Sequence, residues 1–479
     1  MAELTRQRRV LVLAICCMSL LMVGLDNTII NVALPSIGRE LSASTSGLQW
    51  TVDAYTLVLA SLLMLSGSTA DRLGRRRIFL VGLTLFALGS LLCSVAPGLG
   101  WLVAFRMLQA VGGSMLNPVA MSIITNVFTD SRERAQAIGV WGGTIGISLA
   151  LGPILGGLLV ETIGWRSIFW INVPVALAAI VLTTRYVPES RAAHARRVDP
   201  VGQLLVLTLF ASLTYAIIEG PNQGWTSVAT LAVFGVALAA LLGLLFYEPR
   251  RAEPLIQLQF FRSAPFSGAT VIAVSAFAAL GGFLFLNTLY LQQARGFSAL
   301  HAGLLTLPLA AMTAVFAPIS GRLVGRSGPR LPLFVAGVAV TASSLMLMRL
   351  GPATSTLYLA ASYVVFGLGF GMVNAPITNA AVSGMPRSQA GVAAAVASTS
   401  RQLGQSLGVA VVGALAAAGV ASSHANIADS RIGWILTAGC GLIILIVGLV
   451  TSSGWARGTA ERTAADIGEV EPDPLPMAA

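Results

Sequence analysis

Runs of about twenty apolar residues recur from Val10 almost to Ser452, and the arginines collect in the short segments between them. In water such a chain could not cover its apolar surface. Only 10% of its 479 residues are charged, 56% are hydrophobic and the mean hydropathy is +0.82. A lipid bilayer removes that difficulty but demands that every backbone N–H and C=O be paired inside a helix or a closed barrel. The runs are long and do not alternate, so an all-α polytopic membrane protein is expected. The run after "RQRR" (Arg6–Arg9) is too long for a signal peptide core and lacks a small-residue cleavage site, so it reads as the first membrane helix.

Fourteen spans are expected, near 10–35, 46–67, 78–96, 100–124, 135–160, 168–187, 201–219, 227–247, 266–291, 302–322, 331–350, 356–380, 390–420 and 432–452. An even number places both termini on one side. All 29 basic residues are arginine; 22 fall on the side of the termini, five on the opposite side, and Arg106 and Arg401 inside spans. Positive charge marks the cytoplasmic side, so both termini are expected there, in a bacterial inner membrane. This also explains the net charge of +10 without nucleic acid. The absence of lysine points to a GC-rich bacterial genome. Cys16, Cys17, Cys93 and Cys440 lie in apolar runs as packing residues, and His194, His301 and His424 are scattered through loops, so no metal site is expected.

The two halves repeat. Gly67/Gly321, Arg72/Arg326, Gly74/Gly328 and Arg76/Arg330 are each 254 apart, and Gly113/Gly371 and Pro118/Pro376 are 258 apart. "GISL" (Gly146–Leu149) and "GQSL" (Gly404–Leu407) are also 258 apart, so span n maps to span n+8. The expected organisation is a six-helix bundle over 1–187, a linker with two inserted helices over 188–252, a second six-helix bundle over 253–454 and a disordered acidic tail over 455–479. Parallel six-helix repeats imply a central cavity between two bundles and alternating access.

The first span carries "MVGLDNTIINVALP" (Met22–Pro35), with an aspartate and two asparagines in an apolar run. An intramembrane charge is costly and normally faces the bundle interior or a wet cavity. At 1.5 Å per residue, Asp26 lies roughly 14 Å, Asp53 roughly 10 Å and Arg106 roughly 9 Å from the outer edge. The three can share one site if their helices face one another. Arg106, Gln109, Gly113 and Asn117 form one stripe at helical spacing. No Asp or Glu lies between Glu253 and Asp429, which leaves proton chemistry to the first half. A carboxylate that takes and releases a proton can couple transport to the proton gradient; a permanent ion pair of Asp26 or Asp53 with Arg106 is the structural alternative. Arg401 lies roughly 16 Å from the cytoplasmic edge, without an acid in its own half, and bonding to carbonyls, to a first-half acid or to substrate is open to it. Asn31, Tyr55, Gln109, Asn117, Trp141, Asn287, Asn374, Arg401 and Gln402 are candidate substrate contacts.

Several motifs carry a family resemblance. "GSTADRLGRRR" (Gly67–Arg77) resembles the signature loop of the major facilitator superfamily, G-x-x-x-D-R-x-G-R-R/K, with Thr69 at a usually apolar position. "SLALGPILGG" (Ser148–Gly157) resembles the antiporter signature of that superfamily, with Ser148 replacing its first glycine. "LVAFRMLQAVGG" (Leu102–Gly113) is similar to the motif with an intramembrane arginine, with Ala110 replacing a glycine. "LDNTIINVALP", "LQWTVDAYTL", the "PES…R…DP" linker and "RQLGQSLG" (Arg401–Gly408) resemble the fourteen-helix drug:proton antiporter branch (EmrB/QacA type), as in actinobacteria. The resemblance implies the major facilitator fold. It assigns a cytoplasmic gate to Gly67, Asp71, Arg72, Gly74, Arg75 and Arg76, with Asp71 as its latch; Gly325 stands at the aspartate position of the second copy. It also assigns an antiporter motif to Gly152, Pro153, Gly156 and Gly157; proton coupling is expected at Asp26, Asp53 and Arg106 from their charge and depth.

The expected function is proton-driven export of amphipathic drugs or toxic small molecules, by a functional monomer in the lipid bilayer that needs no cofactor. Dedicated export of one endogenous metabolite, antibiotic or lipid is the alternative, and a non-transporting membrane sensor a further one. No nucleophile–base or metal constellation is visible, so an enzyme is not expected.

Overall fold

The computed structural model describes residues 5–192, 199–251, 253–382, 390–421 and 430–468. His194, Arg196 and Arg197 of the linker, Arg387, His424 and the tail over 469–479 lie outside the described residues. Among the described residues no strand occurs. The helices are α1 (Arg6–Glu40), α2 (Thr45–Leu73), α3 (Arg75–Ser94), α4 (Leu99–Ser114), α5 (Asn117–Val127), α6 (Ser131–Thr162), α7 (Ser167–Trp170), α8 (Asn172–Tyr186), α9 (Pro200–Gln223) and α10 (Val228–Tyr247). They continue with α11 (Ala264–Leu289), α12 (Ala299–Leu305), α13 (Leu307–Ser327), α14 (Arg330–Leu347), α15 (Thr356–Val382), α16 (Ala390–Ala421), α17 (Ser430–Thr451) and α18 (Gly454–Gly468). Thirteen helical segments among the described residues are long and apolar enough to cross a membrane; α16 is not among them.

Local chemistry sets the ends of these helices. Ser44, Asp199, Ser227 and Ser298 cap α2, α9, α10 and α12 by accepting a first-turn N–H. Gly74 ends α2 at φ 116°, a conformation that disfavours any side chain, and its missing Cβ leaves room for the Glu189 carboxylate. Glu189 then accepts from Arg76 N (3.1 Å) at the positive end of α3.

The repeat read from the sequence reappears as packing. α1 packs on α6, α2 on α4, α3 on α4 and α8, and α1 on α8. The second half repeats each contact as α11 on α16, α13 on α15, α14 on α15 and α17, and α11 on α17. α9 and α10 pack on each other, and α9 also lies against α2 and α16, one from each half. The bundle end where Arg6 and Gly454 lie is called here the terminal face, and the opposite end the far face.

One span is interrupted and one expectation fails. The fourth span, expected over 100–124, appears as Leu99–Val127 with a turn at Met115–Leu116 that divides it into α4 and α5. Pro118 follows in the first turn of α5 and has no N–H to continue the ladder. The tail, read as disordered from 455, continues as α18, with Ala456, Ala460, Thr463 and Ile467 buried at helical spacing. Thr459 Oγ1 accepts from Ala264 N (2.9 Å), tying α18 to the start of α11. Mostly small residues make its buried stripe, and averaging over the polar composition concealed it.

Candidate functional site

Asp26 and Arg106 form an ion pair in the interior of the first half, with 1% and 0% of their side chains exposed. Arg106 Nη1 donates to Asp26 Oδ2 and to Gln109 Oε1 (2.9 Å). Asp26 Oδ1 accepts from Gln109 Nε2 (2.8 Å) and Asn172 Nδ2 (2.9 Å). The same two amides donate to Ser90 Oγ, at 2.7 and 3.0 Å. Arg106 Nε donates to the Thr51 carbonyl (3.2 Å), and the guanidinium lies over the Tyr55 ring at 4.2 Å. Helices α1, α2, α3, α4 and α8 therefore share one network built around the Asp26–Arg106 pair. A buried charge requires a partner and hydrogen bonds on its remaining lone pairs, and this arrangement supplies both. Two groups are left over: Arg106 Nη2 and Tyr55 Oη have no hydrogen-bond partner.

Asp53 is not part of this group. Its side chain is fully buried on another side of α2, where Oδ1 accepts from Thr56 Oγ1 (3.4 Å) and Oδ2 has no partner. The Ser406 hydroxyl of α16 lies beside it without hydrogen-bond geometry. The expected grouping of Asp26, Asp53 and Arg106 is thus corrected. Depth along the helices was matched, but Asp53 and Tyr55 are two residues apart, a rotation of about 200° around α2. Tyr55 takes the side facing Arg106.

The substrate candidates divide. Tyr55 and Gln109 are enclosed in the Asp26 network with no exposed surface, so neither lines a cavity here. Asn31 and Asn287, one from each half, both line a cavity of about 10 Å³, with Thr28, Pro153, Leu284 and Thr306. Asn31 Nδ2 donates to the Asn27 carbonyl (3.1 Å), while Asn287 Oδ1 accepts from Tyr363 Oη. Asn117, Trp141, Asn374, Arg401 and Gln402 are half-buried. Arg401 Nη2 donates to Thr378 Oγ1 (2.7 Å) on α15, whereas Asn117 Oδ1, Trp141 Nε1, Arg401 Nε and Gln402 Oε1 have no partner.

The antiporter-like motif serves two interfaces. A Cβ on Gly152 would overlap Thr28 Oγ1, and one on Gly156 would crowd Ile29, both on α1. Gly157 packs on Leu300 of α12, and Gly303 of α12 packs on the Pro153 carbonyl. Small residues allow this approach where polar side chains and solvent do not drive helix contact. Both α12 contacts lie toward the far face. There Gln292 Nε2 also donates to the Val32 carbonyl (2.9 Å), and Ile30, Leu34, Leu48 and Val52 share one apolar cluster with Phe285 and Val409.

The segment from Gly67 to Arg77, read as a loop, is the last turns of α2, Gly74 and the first turn of α3, and lies at the terminal face. Asp71 Oδ1 accepts from Arg75 Nε (3.0 Å) and Nη2 (2.9 Å) of the same segment. Arg75 N donates to the Ser190 carbonyl (2.9 Å) and Ala192 N to the Asp71 carbonyl (3.1 Å), so the linker segment is stitched to it. Arg76 Nη2 reaches the Thr184 carbonyl, Arg72 is exposed, and Gly67 lies beside Pro118.

Asn172, Ser90 and the Thr51 carbonyl complete the network and were not singled out from the sequence. Asn172 carried a usable signal, a carboxamide inside an apolar span two residues before Pro174. Ser90 carried none, because a serine in a membrane helix ordinarily bonds its own backbone.

Comparison with known proteins agrees with this architecture. The model of the Major Facilitator Superfamily matches residues 16–409. The chain is 37% identical over 401 residues to the multidrug resistance protein Stp of Mycobacterium tuberculosis, covering 84% of this chain and 74% of that one. It is 39% identical over 403 residues to the tetracenomycin C resistance and export protein of Streptomyces glaucescens, covering 84% and 74%. It is 36% identical over 417 residues to the multidrug efflux pump LfrA of Mycolicibacterium smegmatis, covering 86% and 81%. A crystal structure of a D-xylose-proton symporter shares the fold, with a TM-score of 0.65 at 15% identity over 93% of this chain and 97% of the other. With its many apolar helices, its paired six-helix packing and these relatives, this multi-pass membrane protein belongs to the major facilitator superfamily.

Proposed function

We propose that this chain is a proton-coupled exporter of amphipathic small molecules in the bacterial inner membrane, with fourteen spans and both termini in the cytoplasm. The two-bundle partition at 1–187 and 253–454, with an insert over 188–252, belongs to the same reading. The observation that carries it is the Asp26–Arg106 pair, a buried carboxylate held by Arg106 and Gln109 of α4 and Asn172 of α8. The family match and the relatives named as efflux pumps support export. When Asp26 takes a proton it no longer offers Arg106 a counter-charge, and the guanidinium must find another partner. The unpartnered Tyr55 Oη and Arg106 Nη2 are the groups that such a rearrangement engages first. The membrane potential supplies about 2.3 kcal/mol per charge per 100 mV to drive it.

The packed far face and the Asp71–Arg75 pair within its own segment support a state open toward the terminal face. Half-buried Asn374, and half-buried Asn117, Trp141, Arg401 and Gln402 with their unpartnered polar atoms, are the substrate-facing groups of that state. A monomer needing no cofactor completes the proposal. Dedicated export of one endogenous compound is the second reading, favoured by a relative named for both resistance to and export of tetracenomycin C.

The test is export by purified protein in proteoliposomes under an imposed pH gradient. Substrate-driven proton movement is expected for the wild type and absent in Asp26→Asn; coupled proton movement persisting in that variant would remove Asp26 from the mechanism.

A further inference from the structure

A second pair of buried acids lies away from the Asp26 network, at the base of the two inserted helices. Asp199 caps α9: its Oδ1 accepts from Gly202 N (3.0 Å) and from Tyr247 Oη of α10 (3.0 Å). Glu248 follows α10, and its Oε2 accepts from Ile256 N (3.3 Å) on the segment leading to the second half. The two residues are 3% and 1% exposed. Each keeps one oxygen, Asp199 Oδ2 and Glu248 Oε1, with no hydrogen-bond partner.

These two orphan oxygens point to the same place. A Cβ on Gly202 would stand 2.6 Å from Glu248 Oε1 and 2.8 Å from Asp199 Oδ2. The sum of those distances, 5.4 Å, is the most that can separate the two oxygens. Gly202 lacks the side chain that would keep them apart.

Two buried carboxylates this close cannot both be ionised without a counter-charge. Among the described residues, the cation whose charge reaches Glu248 is Arg251; its guanidinium lies over the Tyr247 ring at 5.5 Å and bonds neither acid, while Arg196 and Arg197 lie outside the described residues. Arg250 sits over the Phe246 ring, and Glu253 lies further along the segment after Arg251. From the packed neighbours, α2 meets α9 through its Ser61 carbonyl, bonded to Gln203, and Arg401 of α16 is engaged with Thr378.

We propose that Asp199 and Glu248 hold one proton between them, a proton-binding site at the terminal face separate from Asp26. One proton on Glu248 Oε1, donated to Asp199 Oδ2, satisfies both orphan oxygens and leaves a single negative charge. The pair then acts as a clasp. It ties the start of α9 to the end of α10 and, through Ile256, to the segment entering α11. Gln203, one residue beyond Gly202, anchors the same turn of α9 to α2. Loss of the shared proton places two like charges across the α9–α10 junction and loosens the segment entering the second half. The clasp therefore reports the pH on the side of the terminal face.

The test is an infrared pH titration of the full-length protein in lipid nanodiscs, without any transport substrate. At neutral pH, the wild-type minus Glu248→Gln and wild-type minus Asp199→Asn differences each should contain a protonated-carboxyl band. Glu248→Gln removes the proton carrier and lacks the band; Asp199→Asn leaves the buried Glu248 protonated but changes its hydrogen-bond partner and shifts the band; Asp26→Asn leaves it unchanged. Melting temperature is the second readout. The folded wild type binds a proton that the unfolded chain has released, so its stability falls as pH rises through the transition. Glu248→Gln keeps the acceptor for Ile256 N and flattens this dependence. The proposal is overturned if neither difference spectrum contains the band, or if sodium or calcium at constant pH abolishes it, which would make the pair a cation site.

Discussion

Gln49 on α2 donates from Nε2 to the carbonyl of Ala410 (2.7 Å) and to that of Val409 (3.2 Å) on α16. One buried side chain of the first half thus bonds two backbone groups of the second at the far face. Each bond is worth about 0.5–1.5 kcal/mol net. Gln49→Ala is expected to favour far-face opening by about 1–3 kcal/mol, up to roughly a hundredfold in population. Reaction of an engineered far-face cysteine with a membrane-impermeant thiol reagent checks it; unchanged labelling would show that the bonds do not hold the face closed.

The α6–α12 contact is less forgiving. Any Cβ on Gly303 overlaps the Pro153 carbonyl, a backbone atom that cannot swing away. Gly303→Ala should leave each half folded while preventing far-face closure. Export should fall at least about tenfold with little change in detergent extraction or melting temperature. A parallel loss of folding would mean the contact supports the fold itself.

Removing one member of a buried ion pair strands the other. Asp26→Asn leaves the Arg106 guanidinium unpaired, at a cost of about 3–5 kcal/mol. The double variant Asp26→Asn with Arg106→Gln should recover most of the melting temperature while proton-coupled export stays absent. If the double variant exports, the pair is structural only. Arg106→Lys should not substitute, since a single ammonium cannot meet the Thr51 carbonyl, Gln109 and Asp26 in the same geometry.

Tail docking makes a separate prediction. Ala456 has no exposed surface, and a charge placed there must be expelled. Ala456→Asp should undock α18 from α11 and speed proteolysis between 454 and 468, leaving the membrane helices intact. Equal proteolysis of wild type and variant would contradict the docked helix.

The Asp26 pair is largely legible in the amino-acid sequence. An intramembrane acid and an intramembrane arginine at matched depth have few other partners available, and helix rise gives depth directly. Asp53 is matched in depth as well, yet it faces α16 while Tyr55 stacks beneath Arg106. Asn172 and Ser90 are hidden because each is ordinary in its own helix. The tail helix is hidden for a related reason: four buried residues, three of them small, do not register against a polar background.

What the sequence determined alone was the solvent, the succession of apolar spans, the internal repeat and the height of each charged group along its helix. These follow from hydrophobicity and a rise of about 1.5 Å per residue, both local properties. The tertiary structure decided which side of each helix meets which neighbour. That depends on rotation about the helix axis, set by close packing between segments far apart in sequence, such as Asp26 with Arg106 and Asn172, or Gly202 beneath Asp199 and Glu248.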